Sequence, residues 1–94
     1  MIDILESPQY RTMKFLCGSE REMDEIQQSF DFILARNPYF GFPVPFDASI
    51  YIFLTIPFTP RVHQFRVMYR YDPENSPNEI ELLAIERLPF EDGD

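Results

Sequence analysis

A small α+β layer fold is predicted by three features of this chain: one segment with a helical hydrophobic period, several short segments that alternate or are apolar throughout, and turn-forming residues between them. The expected order is a strand, a helix and three antiparallel strands, with the helix packed on one sheet face. Its 94 residues make one domain, and 45% hydrophobic residues, with ten Phe and five Tyr, supply a core despite a formal charge of −8. No repeat, low-complexity tract or linker divides the chain. The domain therefore reads as 1–94, with a core over 10–87 and an acidic tail over 88–94.

Residues 10–17, YRTMKFLC, alternate, with Met13, Phe15 and Cys17 on one side and Thr12 and Lys14 on the other; this predicts a first strand stopped by Gly18. Ser19 followed by Glu22 is a capping-box pattern, so a helix is expected from there. Its stripe is Met23, Ile26, Phe30, Ile33 and Leu34, and Glu20, Glu22, Asp24 and Glu25 favour the positive end of its dipole. Pro38 limits the helix to about residues 35–37.

The stretch PYFGFPVPF, 38–46, predicts a connection that is irregular yet apolar and lies against the core. Residues 50–56 are apolar on both parities, which predicts a strand that is central or covered on both faces and ends at Pro57. PFTP then makes a turn. A strand over about 62–71, a loop DPENSPN and a returning strand over 79–87 complete the sheet.

Composition removes several classes of function. The lone Cys17 allows no intramolecular disulfide and reads as a small buried hydrophobe. Cys17 and His63 are too few for a structural zinc site, so no metal is expected. With three glycines and neither GxxxxGK[ST] nor GxGxxG, the chain has no phosphate-cradling loop of the usual kinds, and no cofactor is implied. No serine sits in GxSxG. No apolar run approaches a membrane span and MIDILESPQYR lacks the character of a secretory signal, so the chain reads as cytoplasmic, with no membrane partner.

The charge is segregated. Asp47 and Asp72 bound a window without any acid that holds Arg61, His63, Arg66 and Arg70, whereas residues 72–94 carry eight acids and the single base Arg87. In FRVMYRY, 65–71, alternation predicts that Phe65, Val67, Tyr69 and Tyr71 face the core while Gln64, Arg66, Met68 and Arg70 share the other face. Arg61, His63, Arg66 and Arg70, with Arg87 on the neighbouring strand, are thus candidates to converge on a phosphate. Guanidinium forks bind phosphate oxygens bidentately and an imidazole exchanges protons near neutrality. Tyr69 could stack a base only if it is not core. The alternative stays open: ordinary strand arginines paired across the hairpin with Glu79, Glu81 or Glu86, each pair worth a few tenths of a kcal/mol.

Three stretches carry a resemblance: LARNP at 34–38, FRVMYRYD at 65–72 and IELLAIER at 80–87. Together they resemble the RelE/ParE superfamily of bacterial toxins, over roughly residues 10–87. Its members have a helix ending near Asn-Pro, a strand with an aromatic-Arg-Val-x-Tyr core and a last strand of the kind I-x-L-L-x-I. The element order agrees if the one expected helix stands for the family's N-terminal helical pair. The resemblance implies a toxin-like component of a type II toxin–antitoxin pair, neutralised by a cognate antitoxin, whose target is the ribosome with its mRNA or else gyrase. In a nuclease of this kind Arg66 and Arg70 would stabilise transition-state charge, His63 would act as acid or base, and Arg61 and Arg87 would hold phosphate. Where the family's nucleases carry Lys, Arg, His or Tyr near the last strand and tail, this chain reads ERLPFEDGD, and its acids repel RNA. Two rival readings follow. One is a non-catalytic protein-binding relative that docks through its acidic C-terminal region or a strand edge; the other is a homodimer joined through the Phe-rich segment 38–46.

Overall fold

The computed structural model describes residues 2–55 and 64–88. The elements are β1 (Asp3–Glu6), α1 (Pro8–Cys17), α2 (Glu20–Arg36), β2 (Phe42–Val44), β3 (Asp47–Leu54), β4 (Phe65–Arg70) and β5 (Glu79–Arg87). The chain is α+β as expected, with two helices where one was expected.

Residues 10–17 are helix α1 and not a strand. Ser7 is the reason: its Oγ accepts a hydrogen bond from the Tyr10 amide at 3.0 Å, and Pro8, whose missing N–H costs nothing in a first turn, follows the cap. Tyr10, Met13 and Cys17 are spaced three and four apart, so they form a helical stripe as well as fitting alternation in part. That stripe turns to the core, while Phe15 and Leu16 face solvent. Helix α2 starts where the capping pattern puts it, with Ser19 Oγ accepting from the Glu22 amide at 3.1 Å. It closes with the Asn37 amide donating to the Ile33 carbonyl at 2.9 Å. Met23, Phe30 and Leu34 are buried. At 3.6 residues per turn Ile26 and Ile33 fall at the edge of that arc, and Ile33 is exposed, contrary to the expected stripe.

The sheet has the order β1-β5-β4-β3-β2. β1 runs parallel to β5 and the other neighbouring pairs are antiparallel, so the sheet is mixed. The edge strands β1 and β2, of four and three residues, were not expected; they are too short for a period to register, and Pro43 is tolerated in β2 because it is an edge. Both helices pack on one face, here called the inner face. Tyr10, Cys17, Met23, Phe30 and Leu34 form a single core with Phe53, Phe65, Val67, Tyr69, Ile80, Leu82 and Ile85.

The 38–46 connection does lie against this core. The Tyr39 ring meets Tyr51 and Tyr71 edge-on, and Phe40 meets Phe53. Tyr69 Oη accepts from the Gly41 amide at 2.9 Å and donates to the Pro38 carbonyl at 2.7 Å. Gly41 is required by close approach, since a Cβ there would stand 2.9 Å from the Ile52 carbonyl oxygen. Tyr69 is fully buried, which removes it as a platform for a base. β3 lies inside the sheet between β4 and β2, the first of the two expected alternatives; it is backed by the core through Tyr51 and Phe53, and no described element covers its other face. The expected PFTP turn and the tail beyond Leu88 lie outside the described residues. Among the described residues no helix is long and apolar enough to cross a membrane.

Candidate functional site

The outer face of the sheet, which no described helix covers, is built by alternation, and its charges are set by one irregularity. Along β4, Phe65, Val67 and Tyr69 turn inward, leaving Arg66, Met68 and Arg70 outside. Along β5 the inward residues are Ile80, Leu82 and Ile85, a spacing of two and then three. The extra residue is a bulge: Tyr69 pairs with Leu82 and Met68 with Ala84, so Leu83 has no partner of its own. Every side chain after the bulge changes face. Without it Arg87 would share the outer face with Arg66; with it Glu86 does.

Both outer arginines consequently meet a carboxylate directly across the ladder. Arg66 pairs in register with Glu86 and forms an ion pair through Nη2 and Oε2. Arg70 pairs with Glu81, Nη1 to Oε1 at 3.4 Å. All four side chains are about half exposed, so each pair is worth under about 1 kcal/mol, but each cancels a charge locally.

Arg87 stands on the inner side. Its Nη1 donates to the Cys17 carbonyl at 2.8 Å, its Nη2 lies 4.0 Å from Glu22 Oε1, and its guanidinium sits 5.9 Å from the Phe65 ring centroid. It thereby caps the carbonyl end of α1, where a cation is favoured, and ties both helices to β5. The expected convergence of the arginines thus corrects to two on one face and Arg87 on the other. Arg61 and His63 lie outside the described residues.

Between Arg66–Glu86 and Arg70–Glu81 runs an apolar row. Register aligns Phe42, Ile52, Met68 and Ala84 across four strands. Ile50 and Leu54 flank the row on β3, and Leu5, aligned with Glu81, extends the apolar surface onto β1. Val44 and Ile50 are buried yet stand apart from the main core. The Phe-rich segment is split as well: the half-exposed rings of Tyr39 and Phe40 touch core aromatics, whereas Phe42 lies on this face. The signal for the row was in the sequence, as the double-sided apolar parity of β3 and the Met68 set between two arginines.

One half-buried polar chain also escaped sequence reading. Tyr10 Oη donates to Gln27 Oε1 at 2.9 Å, and Gln27 Nε2 donates to Asp31 Oδ2 at 3.4 Å. Asp31 Oδ1 is buried without a partner. Burial pushes the Asp31 carboxyl up to about 6, against the hydrogen bond from Gln27; Glu6 adds to the rise and Lys14 opposes it. Burial likewise raises the Tyr10 hydroxyl and the Cys17 thiol. Gln27 and Asp31, four apart at the border of the α2 stripe, were the available hint.

Among the described residues no group of three or more His, Cys, Asp or Glu side chains is placed to hold a metal ion. Comparison with family models finds no match for this chain, and comparison with curated proteins finds none either.

Proposed function

We propose that this chain is a RelE/ParE-like, toxin-like component of a type II toxin–antitoxin pair that acts by binding a protein in the cytoplasm and not by cutting RNA. Two features support the family part. The helical pair that the resemblance calls for is matched by α1 and α2, following a strand and preceding the others. The motif arginine, Arg66, lies on the sheet face that no described helix covers. The partners of this reading are a cognate antitoxin and a target such as gyrase or a protein surface of the ribosome.

The observation that carries binding over cleavage is the pairing of Arg66 with Glu86 and of Arg70 with Glu81. A nuclease face needs uncompensated cations to hold phosphate and to meet the charge of the transition state. Here the strand arginines are matched one for one by carboxylates, around an apolar row suited to a protein surface. Cleavage keeps one supporting observation: both pairs are solvent-exposed and weak, so a phosphate could displace a carboxylate.

Co-expression with the product of the adjacent reading frame tests the binding half. The expected result is a stoichiometric complex that survives Arg66→Ala and is lost on Met68→Glu. A complex indifferent to Met68→Glu would move the binding surface elsewhere.

A further inference from the structure

We propose that the outer sheet face is a two-fold interface between two copies of this chain, with the axis parallel to the strands between β4 and β5. The inference stands on the register of the sheet and not on the toxin-like reading.

A rotation about that axis lays β4 of one copy over β5 of the other at the same level along the strands. Arg66 then faces Glu86 of the second copy and Arg70 faces its Glu81, because those residues are already level within one chain. Met68 faces Ala84, a large side chain over a small one. One strand further out, β1 lies over β3, so the half-exposed Leu5, level with Glu81, is covered by the second copy's β3 at the level of Ile50, a residue already buried in its own chain. The face is therefore complementary to itself in charge, bulk and polarity, as an isologous interface has to be.

Charge also selects this occupant. A molecule of formal charge −8 repels its own copy unless they meet where charge cancels. The four charged residues beside the apolar row sum to zero; Asp3 and Glu79 stand at the far end of the β1–β5 pair. Acids elsewhere are screened beyond about 10 Å at ordinary ionic strength. The exposed Phe15 on α1 lies instead beside Glu6, Glu20 and Asp24, which Arg11 and Lys14 offset only in part, so this surface keeps a negative charge that the centre of the outer face does not.

The two-fold overlays four strands of each copy, β1, β5, β4 and β3, and leaves β2 outside. Four strands about 4.8 Å apart and about six residues long give a face of roughly 19 by 20 Å in projection. That is smaller than the roughly 800 Å² per partner of a standard interface, so the dimer is expected to be a weak one. Two such sheets pack about 10 Å apart with their strands within about 30° of each other.

Analytical ultracentrifugation of the full chain, from micromolar to hundreds of micromolar, tests this. Wild type is expected to form a dimer. Met68→Glu should weaken it by about tenfold or more, since it buries an unpaired charge at the centre. Leu5→Glu, on an exposed edge position that does not endanger folding, should weaken it similarly, and Leu16→Glu on α1 should leave it unchanged. A wild type that stays monomeric throughout overturns the proposal, as does a dimer dissolved by Leu16→Glu and untouched by Leu5→Glu. Both proposals use this face, so a heterologous partner would displace the second copy; a monomeric wild type overturns the dimer and leaves the co-expression result standing, and failure to form the heteromeric complex leaves the dimer standing.

Discussion

Arg66 and Glu86 stand directly opposite each other on β4 and β5 and form an ion pair on the sheet face that no described helix covers. The bulge at Leu83 makes them neighbours, and Arg70 with Glu81 repeats the arrangement on the other side of that bulge. The centre of the face is thus neutral because of backbone geometry, and this can be undone without touching the core. Glu81→Gln with Glu86→Gln should change stability by less than about 1 kcal/mol, since both pairs are exposed. It should also create affinity for single-stranded RNA, measurable by fluorescence anisotropy, that falls steeply with salt. If wild type binds RNA as tightly as the double variant, the carboxylates are not what withholds the arginines.

Ser7 decides whether residues 8–17 are helical. Ser7→Ala removes the cap on the Tyr10 amide and should cost about 1 kcal/mol, read as a lower denaturation midpoint with little change in slope. No loss of stability would mean that packing of Tyr10 and Cys17 alone fixes the helix.

Asp31 gives the stability a distinctive pH dependence. Its folded pKa, about 6, lies above the ordinary value of 3.8, so between these the native state binds more protons than the unfolded state. Stability contributed by the neutral carboxyl is present below the ordinary value and is lost as pH rises toward 6. Asp31→Asn should therefore stabilise the protein at pH 7 by about 2 kcal/mol, less than the full conversion of the shift because the carboxylate keeps some water. The difference between variant and wild type, followed by thermal melts, should vanish near pH 4. A variant no more stable than wild type at pH 7 would show that the unpartnered Oδ1 costs nothing.

Tyr69 holds the 38–46 connection on the core. Tyr69→Phe leaves the Gly41 amide and the Pro38 carbonyl without their partner and should cost about 1–3 kcal/mol. Hydrogen exchange at Gly41 should accelerate far more than exchange in β5. Unchanged protection at Gly41 would locate the hold on the connection in the Tyr39 and Phe40 rings.

The reach and the limits of the sequence are both visible in these residues. Helix α2 was legible because Ser19, the stripe from Met23 to Leu34 and Pro38 agree with one another. Helix α1 was not, because Tyr10 to Cys17 satisfy two periods at once and only Ser7-Pro8 breaks the tie. Alternation correctly set Arg66 and Arg70 on one face, outside Val67 and Tyr69. It could not fix the side taken by Arg87, since a single unpaired residue, Leu83, reverses the parity of all that follows, and bulges leave little trace in composition. The pairing with Glu81 and Glu86 was one of two open alternatives, and only the register chooses between them.

The central claim, binding without RNA cleavage, is tested most directly by the integrity of message on translating ribosomes. Purified wild-type chain is added and the mRNA is mapped by primer extension. Full-length message, the same with wild type as with Arg66→Ala, is the predicted result. Discrete truncations that appear with wild type and disappear with Arg66→Ala would contradict it.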